Sequence, residues 1–142
     1  MELKERFEYI KRNIRYLDDL LQRYTANDII ENYTLLTSVL YVLQTSIQSM
    51  IDIGLRFLAE LGKKPPNRYS DVGDSLKEEG IFDQNDAILF EKIVGFRNVV
   101  VHQYMGIDLN ILKKILEERL YRDIYKLALK ILKTAEVQGI DP

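Results

Sequence analysis

The sequence contains no cysteine. Disulfide bonds, thiol nucleophiles and zinc–thiolate sites are therefore excluded. Histidine occurs once, at position 102, so a metal site would have to be built from carboxylates. Asp83, Asp86 and Glu91 do not make a convincing cluster for one, and neither a metal nor an organic cofactor is expected. The seven glycines are scattered, mostly where helices end, and form no phosphate-binding loop. Excess positive charge is missing too. The net charge of −2 lacks the basic footprint of a nucleic-acid-binding surface. Any RNA binding needs a local patch, or a groove built by two subunits.

Long apolar runs are also absent. Gln44, Gln48, Asp52 and Arg56 interrupt the most apolar region, so no uninterrupted run approaches the roughly 18 residues of a membrane span. The opening residues Met1-Glu2-Leu3-Lys4-Glu5-Arg6 lack the apolar stretch of a secretory signal. The expectation is a cytoplasmic protein with no membrane contact.

What is present is helical periodicity. With 46% apolar and 30% charged residues over 142 positions, one compact domain spanning residues 1–142 is expected. Only three prolines occur, two of them adjacent at Pro65-Pro66. Leu3, Phe7, Ile10, Ile14, Leu17, Leu21 and Tyr24 recur at spacings of three and four, which predicts a first helix from about Glu2 to Tyr24. A second long helix is predicted from about Asn32 to Leu61, closed by Gly62. Residues Lys63 to Tyr69 read as a loop. Ser70 or Asp71 is placed to cap a short helix ending at Glu79 before Gly80. Asp83 is placed to cap a helix from Gln84 to about Val101. Asp108 is placed to cap a final helix from Leu109 to about Thr134, and Gly106 breaks the pattern between them. Together these elements predict an all-α, antiparallel four-helix bundle with an additional short helix.

The chemistry concentrates in one decapeptide, Gly95-Phe96-Arg97-Asn98-Val99-Val100-Val101-His102-Gln103-Tyr104. A lone histidine more often serves structure than catalysis, but the neighbours here suit RNA cleavage. Histidine exchanges protons near neutral pH. Arginine stays charged and clamps phosphate oxygens through paired hydrogen bonds. Asn98 and His102 are four apart and share a helix face, so Asn98 is placed to orient the imidazole. Arg97 and His102 are five apart, roughly 140° around a helix axis. Their convergence on one atom requires a bend near the helix end, long side-chain reach, or a second subunit. Tyr104 can stack, donate a hydrogen bond or accept a modification.

The same decapeptide resembles the signature of the HEPN domain family: Arg, a polar residue, three more residues, then His. Its His-x-Tyr ending is similar to the HepT branch of that family. Met50-Ile51-Asp52-Ile53-Gly54, the Pro66 to Leu76 segment with Tyr69 and Asp71, and Gly106-Ile107-Asp108 resemble further family stretches. The resemblance spans roughly residues 35 to 120. It implies a ribonuclease toxin of a two-component toxin–antitoxin system, with Arg97 and His102 catalytic; Asn98 is the supporting residue that spacing suggests, Asp52 a further candidate, and cleavage without a metal is expected. It also implies a partner, an MntA-like nucleotidyltransferase antitoxin that transfers AMP from ATP to Tyr104. A homodimer or higher even oligomer, with two motifs facing a shared cleft, is implied as well. That assembly would supply two histidines and a concentrated positive patch despite the acidic total.

Alternatives remain at several residues. Asp52 and Arg56 read as an i,i+4 ion pair on the bundle surface; the competing reading brings Asp52 to the motif, tuning His102 or pairing with Arg97. Lys63-Lys64 and Lys113-Lys114 read as solvated charge. The rival function is a non-catalytic helical module that docks a nucleotidyltransferase partner or RNA without turnover.

Overall fold

The computed structural model describes residues 3–102 and 108–140, with side chains described for 3–97 and 108–140. Seven α-helices and one 3-10 turn, Tyr69–Asp71, account for the regular structure there, and no strand occurs among the described residues. The helices are α1 (Leu3–Arg23), α2 (Ala26–Glu31), α3 (Tyr33–Glu60), α4 (Val72–Glu78), α5 (Gln84–His102), α6 (Leu109–Glu117) and α7 (Arg122–Val137).

Helix α3 is the central element, and α1, α5 and α7 pack around it. Its residues Ile47, Met50, Ile51, Ile53, Phe57 and Leu58 are almost fully withdrawn from solvent. Burying a side chain of this size stabilises the fold by about 1.5–3 kcal/mol. By length and hydropathy alone α3 would also satisfy the requirements of a membrane-crossing helix. In this fold it is the core against which the other long helices are assembled. The α1 stripe packs as its spacing predicts through Leu3, Phe7, Ile10, Ile14 and Leu17, whereas Tyr24 lies beyond the helix and is exposed.

A ladder of polar contacts crosses the α1–α3 seam. Arg6 pairs with Asp52, Tyr9 donates to Thr45, Asn13 donates to Ser46, and Tyr16 bonds Ser38. Arg6 at the start of α1 meets Asp52 late in α3, and Tyr16 further along α1 meets Ser38 early in α3, so the two helices run antiparallel. Asn13 and Ser46 are both buried, and their 2.9 Å bond satisfies them where water cannot.

Two features depart from the expected boundaries. The segment between the first two long helices folds as α2, started by a capping box between Thr25 and Asp28. Asn32 then serves twice, ending α2 and capping α3 through the Leu35 amide. The expected final helix is two helices, α6 and α7. Arg119 adopts φ 56°. Its N–H bonds Leu116 O, and the Leu120 N–H bonds Ile115 O. That is the closing motif seen also at Gly62 and Gly80, and it ends a helix by turning the next residue left-handed. Glycine announces such an end in a sequence; arginine does not.

Tyr121, just past this break, is buried and donates its hydroxyl to Asp18 of α1. Burial, reinforced by the Asp18 charge, pushes its pKa up to about 12. Arg122 bonds the same carboxylate, so α7 is tied to α1 at its first turn.

Candidate functional site

Helix α5 carries the motif, and its start is firmly fixed. Asp83 and Asp86 cap each other: the Asp86 N–H bonds the Asp83 carboxylate at 2.8 Å, and the Asp83 N–H bonds the Asp86 carboxylate at 3.1 Å. Lys130 of α7 bonds Asp86 as well, which locks α5 onto α7. Phe90 and Val94 then enter the core, with Phe82 and Phe90 rings 5.9 Å apart. The helix leaves the core at Phe96 and Arg97, both half-buried.

Arg97 meets α3. Its Nη2 donates to Gln48 Oε1 at 2.6 Å. Gln48 Nε2 in turn donates to Asp52 Oδ1 at 3.0 Å. The second oxygen of Asp52 accepts from Arg6 Nη1 at 2.9 Å. Three helices thereby contribute to one chain of donors and acceptors, Arg6–Asp52–Gln48–Arg97. Gln48 and Asp52 are one turn apart on α3 and share a face.

This arrangement corrects one expectation. Arg56 pairs with Glu60 at 2.9 Å and not with Asp52. Both Asp52 oxygens are occupied, by Gln48 and by Arg6, and the next turn offers Arg56 its own carboxylate. Asp52 is instead connected to the motif, through an amide rather than by direct contact with Arg97. Gln48 and Arg6 were not foreseen as site residues. Arg6 lies 46 positions from Asp52, and Gln48 lies 49 positions from Arg97, distances at which spacing along one helix is uninformative.

Helix α5 continues without a break through His102. No helix break separates the Arg97 and His102 positions. Convergence of the two side chains on one atom would then require reach or a second copy of the chain. The side chains of Asn98 and His102, and all of Tyr104, lie outside the described residues. Among the described residues, no group of three or more histidine or carboxylate side chains could hold a metal ion. A separate cavity of about 460 Å³ lies on the α5 flank facing α6 and α7. Ile93, Phe96, Ile115 and Ile124 line it, and its character is apolar rather than chemical.

A family model described as "Ribonuclease HepT-like" matches residues 10–131. The chain belongs to the HepT-like family. Two Archaeoglobus fulgidus proteins, each named "Putative RNase", are similar to it. One is 26% identical over 132 residues, covering 93% of this chain and 92% of that protein. The other is 34% identical over 108 residues, covering 75% of this chain and 77% of that protein. Among solved structures, the tri-AMPylated HEPN toxin of Shewanella oneidensis in complex with its MNT antitoxin superposes with a TM-score of 0.80 at 23% identity. That match covers 93% of this chain and 96% of the toxin. YutE, a cytosolic Bacillus subtilis protein of unknown function, superposes with a TM-score of 0.81 at 14% identity, covering 99% of this chain and 92% of YutE. At such identities the structural likeness establishes the HEPN-type fold and leaves function to be argued from the site.

Within the HepT-like fold, the described part of the motif lies on the last turns of α5, and α3 holds its arginine in place.

Proposed function

We propose that this HepT-like chain is a metal-independent endoribonuclease toxin, with Arg97 and His102 as the reactive pair and Tyr104 as the site of its control. The observation that carries the reading is the anchoring of Arg97 by Gln48 at the end of the motif helix. A guanidinium held at both the backbone and the side-chain end is suited to clamp a phosphate in one geometry. Family membership and the names of the archaeal relatives support RNA as the substrate.

In this reaction the ribose 2′-oxygen attacks the adjacent phosphorus as the bond to the 5′-oxygen breaks. The 2′-proton passes to a base, and the leaving oxygen receives a proton. Products are a 2′,3′-cyclic phosphate and a 5′-hydroxyl. His102 exchanges the proton, Asn98 orients His102, and Arg97 stabilises the crowded anionic phosphorane. One imidazole does not readily serve as both acid and base. The complete site therefore draws its second histidine from another copy of the chain, in a homodimer or higher even oligomer.

Control is assigned to the same sequence motif. A nucleotidyltransferase antitoxin of the MntA type would direct the Tyr104 phenolic oxygen onto the α-phosphorus of ATP, releasing pyrophosphate. The adenylate adds a bulky anion two residues from His102, where it blocks RNA and competes for Arg97. The toxin–antitoxin pairing of the Shewanella relative supports this partner. Both RNA and ATP are available in the cytoplasm.

The test uses purified, unmodified protein with RNA in EDTA, alongside Arg97→Ala and His102→Ala. Cleavage by the parent and loss in both variants is expected, with intact mass rising by adenylate units after co-expression with the transferase. Equal cleavage by all three would discard these residues as the reactive pair. A stable transferase complex with neither cleavage nor mass change would favour the docking module.

A further inference from the structure

We propose that Gln48 is the positioning residue for Arg97, and that Asp52 acts on the motif by dictating which way the Gln48 amide faces. The role assigned here to Arg97 rests on the ribonuclease reading above.

An ionised carboxylate only accepts hydrogen bonds, and a guanidinium only donates them. Gln48 stands between the two with one donor end and one acceptor end. A single orientation satisfies both neighbours, with the amide nitrogen toward Asp52 and the amide oxygen toward Arg97. Those are the contacts present, at 3.0 Å and 2.6 Å. Turning the amide over would set two acceptors against each other at Asp52 and two donors against each other at Arg97. Asp52 is held in turn from α1, by Arg6 on its other oxygen. The chain alternates donor and acceptor from Arg6 to Arg97, and each link fixes the next. Gln48 acts through Arg97 and is not itself a catalytic residue.

Four proteins test the proposal: the parent, Gln48→Glu, Asp52→Asn and the double variant. The Gln48→Glu change places two carboxylates in contact. The isosteric Asp52→Asn change offers Gln48 a donor and frees its amide to turn over. The double variant keeps one carboxylate but moves it along the chain. The introduced amide at position 52 then accepts from Arg6 and donates to the introduced carboxylate at position 48, which accepts from Arg97. Alternation is restored.

Two readouts are taken: kcat/KM for RNA cleavage, and mobility of the Arg97 guanidinium from nitrogen NMR relaxation of its Nε–H. Each single variant is expected to lose about tenfold or more in kcat/KM, and Asp52→Asn, which frees the Gln48 amide, to mobilise Arg97. The double variant is expected to return within about threefold of the parent, because the two sites couple, and to immobilise Arg97 again. A double variant no better than its poorer single overturns the proposal, as does an Arg97 equally rigid in all four. Asp52→Asn keeps the test decisive if Gln48→Glu misfolds, since it preserves side-chain size. The two readings fail separately. A parent that cleaves no RNA, yet shows the same mobility pattern across the set, removes the ribonuclease and leaves the positioning intact. Cleavage with a mobility pattern that ignores residues 48 and 52 does the reverse.

Discussion

Gly54 of α3 approaches Val72 of α4 so closely that a Cβ at position 54 would lie 2.8 Å from Val72 Cγ1. Val72 is fully buried and β-branched, so it has little freedom to move aside. The same tightness recurs at Gly73, where a Cβ would lie 3.1 Å from Phe90 Cβ and 3.2 Å from the Ala87 carbonyl oxygen. Two glycines thus allow α3, α4 and α5 to stack at close range, just one half-turn from Asp52.

Gly54→Ala should therefore destabilise the protein despite occupying a helix. Helix propensity favours alanine by about 1 kcal/mol. Overpacking a buried contact costs about 1–3 kcal/mol, and that effect should win. Urea denaturation is the measurement. Val72→Ala in the same chain should recover part of the loss by opening space. Strictly additive losses would mean that the close approach does not govern the effect.

Arg119 leads to a second expectation. Its left-handed φ of 56° costs a non-glycine residue roughly 1–2 kcal/mol. Arg119→Gly should be tolerated, or stabilising by up to about 1 kcal/mol, while Arg119→Val should destabilise by a similar or larger amount. Denaturation midpoints of the two variants check this. A valine variant as stable as the glycine variant would contradict the assigned turn.

Asp86 predicts a pH dependence. Burial pushes its carboxyl up, but the Lys130 ammonium and the Asp83 N–H outweigh burial and hold its pKa below the ordinary carboxylate value. The folded chain then binds this proton more weakly than the unfolded chain. The resulting stability is complete above the unfolded carboxylate pKa and is lost as pH falls through the lower folded value. Asp86→Asn should lower stability at neutral pH by about 1–3 kcal/mol, chiefly by exchanging the charged hydrogen bond to Lys130 for a neutral one, since the introduced amide oxygen can still accept from the Asp83 N–H. The gap to the parent should narrow on acidification. A gap that is constant from neutral to strongly acidic pH would show that Asp86 is not the titrating group.

The long helices were legible because each buries a stripe whose period is set by backbone geometry. The caps at Asp83 and Asp108 were legible because a short carboxylate before a helix has one good use, and both bond the amides ahead of them. The α6–α7 break was hidden by an arginine in a position where glycine is the usual signal. Helix α2 was hidden by its brevity, although Thr25 and Asp28 carried the capping pattern. At the site, Arg97 could be singled out by residue type and spacing. Gln48 could not: a glutamine on a long helix looks like solvated surface until the partner helix is in place.

The polar pairs along the α1–α3 seam have a consequence beyond stability. An apolar stripe tolerates sliding, whereas Asn13 and Ser46 can satisfy each other at one offset only. Arg6 sits at the far end of the same ruler, so the axial setting of the amino-terminal helix is transmitted to Asp52 and onward. A fusion or trimming at the first residues would act on the motif as a distant set-screw, although nearly a hundred positions separate them in the chain.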